Sequence, residues 1–117
     1  MNSSIVKPGD ERPAFGVWIM PNNNSRGNIE DFIGLLRKPD DILWSVAEDI
    51  VQKVVQIDCR FSPEHESKAL LHTWLAWQKY PGKSMGQSIT NRYVLPDCPL
   101  ALQFIDWIRT LFELQSP

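Results

Sequence analysis

A mostly helical α/β fold, with one main strand at about residues 14–20 and four or five helices, is what this sequence predicts. Two observations carry the prediction. Phe15, Val17, Trp18, Ile19 and Met20 form a short run rich in β-formers and apolar on both faces, which suits a buried strand. Downstream, successive stretches repeat apolar residues at three- and four-residue steps between capping residues and Pro or Gly breaks. A length of 117 residues allows one domain, read as 14–117 behind a flexible leader at 1–13. Hydrophobic residues at 43% and charged residues at 22% exclude disorder throughout, collagen and a disulfide scaffold. The net charge of −2 leaves any nucleic-acid contact to a local patch. Cys59 and Cys98 lie far apart with neither a C-x-x-C nor a signal peptide nearby, so a cytoplasmic location with reduced thiols is expected. No apolar run approaches the ~20 residues that span a bilayer.

The elements follow in order. The leader is polar and broken by Pro8, Gly9 and Pro13, with only Ile5 and Val6 as anchors. Pro21 ends the strand, and the Asn22-Asn23-Asn24-Ser25-Arg26-Gly27 stretch is a loop, because Asn and Gly tolerate positive φ. Asn28 then caps a helix with Glu30 and Asp31 in its first turn and Ile29, Phe32, Ile33 and Leu36 on its apolar face. Pro39 stops it. Asp40 is read as the cap of a second helix with the face Leu43, Val46, Ala47, Ile50, Val54 and Ile57. Ser62 and Pro63 open a third, carrying Leu70, Leu71, Trp74, Leu75 and Trp77 up to Pro81-Gly82. A short helix over 84–92 and a last one from Pro99, with Leu100, Phe104, Ile105, Ile108, Leu111 and Phe112 on one side, complete the chain.

The single strand is a physical problem. Buried N–H and C=O groups left without ladder partners cost roughly 1–3 kcal/mol each. The chain is therefore expected to be part of a larger α/β unit, or a homo-oligomer whose interface pairs Ala14 to Met20 across a two-fold axis and covers Trp18.

Three blocks, GVWIMPNNNSRGNIEDF (16–32), KALLHTWLAWQKYPGKSMGQSIT (68–90) and FIDWIRTLF (104–112), resemble a family of uncharacterised prokaryotic proteins in the TOPRIM-like, OLD-nuclease-related class. The resemblance covers about Phe15 to Phe112 and corresponds to the C-terminal half of the usual member. It implies a TOPRIM-like fold and a metal-dependent, nuclease-class function shared with an N-terminal half. That half would carry a glutamate after the first strand and a D-x-D motif. No D-x-D occurs in this sequence, and Asn22 stands where the family usually has the Asp of M-P-D-N. The expected chain is inactive alone and looks to a separate N-terminal-half partner.

Candidate chemistry is sparse. A strand, a loop and an acid in the next helix's first turn would present Glu30 at a sheet's C-terminal edge, where open α/β sheets place ligands. The resemblance implies that Glu30, with Asp31, is a ligand of Mg²⁺, an oxygen-seeking cation that such a lone pair would hold weakly if at all. The competing role of both acids is to complement the helix dipole. Asn22 and Asn24 could contact phosphate, or simply form a solvated turn. Residues 67–96 hold Lys68, Lys79, Lys83 and Arg92 with no acid, interleaved with Trp74, Trp77, Tyr80 and Tyr93. Charge with stacking platforms is what nucleic-acid backbones and single strands engage. Trp74 and Trp77, three apart on a helix, are equally well read as core. His65 and His72 are seven residues apart, about 10 Å along a helix, too far to share an ion; His72 is read as a partly buried, hydrogen-bonded residue. Gly82-Lys83-Ser84 resembles the end of a P-loop, but Trp77 occupies the first glycine's position. The nuclease-class reading thus competes with a second, a non-catalytic module for protein interaction or self-association.

Overall fold

The computed structural model describes residues 5–6, 13–24 and 26–115. Two short strands and five helices make up the described residues: β1 (Ile5–Val6), β2 (Phe15–Gly16), α1 (Ile29–Leu35), α2 (Ile42–Asp58), α3 (Glu66–Leu75), α4 (Met85–Thr90) and α5 (Pro99–Gln115), with a 3₁₀ turn at Pro63–His65 before α3. The molecule is mostly helical with a small sheet.

The strand departs furthest from expectation. Only Phe15–Gly16 is strand, and it pairs antiparallel with β1, Ile5 opposite Gly16 and Val6 opposite Phe15. The backbone expected to need a second copy finds a partner in the leader. The remainder of that leader, 1–4 and 7–12, lies outside the described residues, as does Ser25 of the asparagine loop. Phe15, Val17 and Ile19 are exposed, so the run is not buried on both faces. Trp18 packs within the chain instead, edge-on to Phe104 at 5.0 Å and to Trp107 at 5.6 Å.

Helix α1 starts as its sequence dictates. Asn28 Oδ1 accepts the Asp31 N–H at 3.0 Å while the Asp31 carboxylate accepts the Asn28 N–H at 3.0 Å, a reciprocal cap that satisfies two orphan donors. Helix α2 is capped by Asp41, not Asp40. Its Oδ1 accepts the Leu43 and Trp44 N–H groups, and its Oδ2 accepts the Trp74 indole N–H at 3.2 Å. One carboxylate thus starts α2 and ties it to α3.

Helix α3 packs against both α1 and α2 and buries Leu71, Trp74 and Leu75. These meet Phe32, Ile33 and Leu36 from α1, Trp44 and Ala47 from α2, then Val94 and Ala101. Trp44 stands edge-on to Trp74, ring centroids 5.6 Å apart. Gly34 permits the approach of α1: a Cβ there would lie 2.7 Å from the Trp44 ring. The Leu95 N–H donates to the Leu36 carbonyl at 2.7 Å and fastens the 91–98 segment to α1's end. Trp77 lies beyond α3 and is exposed, and so is His72, contrary to the partly buried reading. The sequence pattern also misjudges α2. The side that reaches the core is Trp44, Ala47 and Val51, while most of the apolar face read from periodicity points outward.

Candidate functional site

Glu30 lines a cleft of about 370 Å³ together with Arg26, Asp31, Arg37, Glu48 and Ser67. Its position in the first turn of α1, against α3, leaves it only 7% exposed. Lys68 Nζ is 3.8 Å from Oε1, an ion pair whose lysine is largely in solvent. Oε2 is buried without a hydrogen-bond partner among the described residues. Asp31 next to it is committed: one oxygen closes the Asn28 cap and the other accepts the Ser67 hydroxyl at 2.6 Å. Arg37 stacks over Trp44 at 4.4 Å and donates to the Gly34 carbonyl.

These neighbours do not fit a resident Mg²⁺ held by this chain's residues. A hard divalent cation takes six oxygens, several of them anionic or from water. Here the unpartnered Glu30 Oε2 is buried, Asp31 is occupied, the Lys68 ammonium faces Oε1, and Glu48 on the cleft wall does not join them in a cluster. Among the described residues no group of three or more His, Cys, Asp or Glu side chains is placed to hold an ion.

The asparagine loop is tied within itself and back to Ile19. Asn22 Oδ1 accepts the Asn24 N–H and Asn23 Oδ1 accepts the Ile19 N–H, with Asn23 at φ 62°. Lys68, in the first turn of α3, lies beside Glu30, whereas Lys79 and Lys83 follow the helix's other end, which is about 10 Å from Lys68 by helix rise. Lys79 lies 5.4 Å from the Tyr80 ring, and Arg92 sits in a turn at φ 60°.

A feature that periodicity alone does not reveal lies on α2. At 100° per residue its apolar arc covers roughly half the circumference. The chain's own core takes one side through Trp44, Ala47 and Val51. The other side, Leu43, Val46, Ile50, Val54 and Ile57, is 39–74% exposed, and Ile42 at the helix start reaches 77%. The width of the arc is the signal in the sequence, since a helix that packs on one neighbour needs a narrower stripe.

A family model for proteins of unknown function, DUF3226, matches residues 1–113. The chain belongs to this family. No curated protein and no solved structure matches it. DUF3226 carries no stated activity, so function has to be read from the side chains described above. No helix among the described residues is long and apolar enough to cross a membrane.

Proposed function

We propose that this chain is a non-catalytic interaction module whose docking element is the outer face of α2. The observation that carries this reading is the exposure of Leu43, Val46, Ile50, Val54 and Ile57 along one side of a 17-residue helix. A continuous apolar strip of that length is costly to leave in water, and such strips mark association surfaces. The fold supplies a rigid mount: the adjoining side of α2 is locked by Trp44, Ala47 and the Asp41 cap.

A photoactivated cross-linking residue placed at Val54, on the outer face, tests this in the cells that make the protein, with Gln56 on the polar side as control. The expected result is a discrete covalent adduct from position 54 and none from 56. No adduct from either position contradicts the reading.

The nuclease-class reading keeps one observation of its own, the orphaned, buried Oε2 of Glu30. In that reading Glu30 is one ligand of a metal site completed by a separate chain, and the isolated protein does not cleave DNA with Mg²⁺ or Mn²⁺. A plasmid-nicking assay checks it: cleavage by the isolated chain, lost in Glu30→Gln, would show a self-sufficient site.

A further inference from the structure

We infer that the occupant of the α2 face is a second copy of this chain, packed antiparallel across a two-fold axis at Ile50; this rests on the interaction-module reading above. The face is symmetric about that residue. Its apolar positions, Leu43, Val46, Ile50, Val54 and Ile57, are spaced three, four, four and three residues apart. Turning a second α2 end for end therefore sets Leu43 level with Ile57, Val46 level with Val54, and Ile50 on itself. An isologous interface demands this self-complementarity, and the spacing of these five residues meets it.

The charges agree with the same axis. Asp49 and Lys53 flank the apolar strip on one side, and neither is in an ion pair among the described residues. In an antiparallel pair like flanks meet, so Lys53 of each copy lies within a turn of the other copy's Asp49. Two opposite-charge pairs close the edge of the interface. The helix ends are complementary as well. A recess of about 330 Å³ at the C-terminal end of α2 is lined by Val54, Ile57 and Phe61. It lies where the other copy brings Leu43, beside the protruding Ile42. The inference rests on the helix face and not on the sheet, whose two-residue strands pair with each other within the chain. The surface is small, a helix pair without further elements, which belongs to the weaker class of interfaces and predicts micromolar association.

Cysteine cross-linking of the full chain tests the geometry, in a Cys59→Ser, Cys98→Ala background. Ile50→Cys is expected to give a disulfide-linked dimer under mild oxidation. Leu43→Cys alone is not, because the two copies of that residue lie about 21 Å apart along the axis. Mixing Leu43→Cys with Ile57→Cys protein should restore the cross-link. Sedimentation velocity supplies the second readout: wild type should shift from monomer to dimer with rising concentration, and Ile50→Glu should stay monomeric at every concentration. A dimer that persists in Ile50→Glu, or cross-linking at Leu43 but not Ile50, overturns the inference. So does a wild type that is monomeric throughout. In that last case an adduct at Val54 with a different protein would leave the module reading standing without this partner.

Discussion

Asp41 and Glu30 show how differently two carboxylates in one small fold can be used. Asp41 accepts three N–H groups, two from its own helix start and one from the fully buried Trp74. Losing a cap costs about 1 kcal/mol and an unsatisfied buried donor about 1–3 more. Asp41→Ala should therefore lower stability by about 2–3 kcal/mol, and Asp41→Asn, which retains one acceptor oxygen, by about half that. Equilibrium urea unfolding followed by tryptophan fluorescence would show the order; equal losses would mean that the acceptor oxygen retained by Asn contributes nothing. Glu30 is the converse case. Its charge is buried against an exposed lysine at 3.8 Å, with Oε2 unpartnered. A buried charge so weakly paired is a cost to the fold. Glu30→Gln should leave stability unchanged or raise it by up to about 1 kcal/mol in metal-free buffer. Adding Mg²⁺ should not shift the melting temperature of the isolated wild type. A rise in wild type that is absent in Glu30→Gln would move weight to the metal reading. Both carboxylates fall at helix starts, and sequence reasoning places Glu30 correctly in the first turn of α1. It chooses Asp40 over Asp41 because either can precede the periodic run. Only the indole of Trp74, 33 residues away, distinguishes them.

Helices α1 and α2 show where one-dimensional pattern suffices and where it fails. The start of α1 is legible because Asn28, Glu30 and Asp31 act locally, through a cap and a dipole. The inner face of α2 is not, because periodicity gives an apolar arc without saying which part of it the chain itself covers. Trp44 and Ala47 win: the indole offers the largest apolar surface, and Ala47 sits fully buried between α2 and its neighbours. The same reasoning misplaces the strand. Five apolar residues between 15 and 20 read as buried, yet Phe15–Gly16 alone pairs, and its partner is a two-residue strand too short to stand out in a polar leader. A paired substitution separates the two sides of α2. Ala47→Lys, at 0% exposure, should cost several kcal/mol or prevent folding, since it buries an unpaired ammonium, whereas Ile50→Lys should change monomer stability by about 0.5 kcal/mol or less. Thermal unfolding at low micromolar concentration would compare them. A large loss at Ile50 would place that residue in the core and remove the open face.

The whole molecule is organised around α3, which packs on both α1 and α2, while α5 is held largely by rings. Phe104 contacts Phe32 at 5.1 Å and stacks on Trp107 at 5.9 Å, and Trp18 closes the group. The abundance of tryptophan and phenylalanine is legible in the sequence as core or as partner surface, and the structure divides it: Trp44 and Trp74 form the core, Trp18, Phe104 and Trp107 fasten α5, and Trp77 is outside. Of the basic residues between 67 and 96, Lys68 lies in the first turn of α3, and Lys79, Lys83 and Arg92 follow that helix in the chain. The proposed docking element is the outer strip of α2. Methyl-resolved NMR with a soluble paramagnetic agent measures its exposure directly, at Val46, Ile50 and Val54. At the lowest workable concentration all three methyl groups should broaden strongly, and at high concentration they should become protected while Ile19 remains broadened. Methyl groups on α2 that are broadened equally at every concentration would contradict self-association through this face. Protection that is independent of concentration would contradict the open face itself.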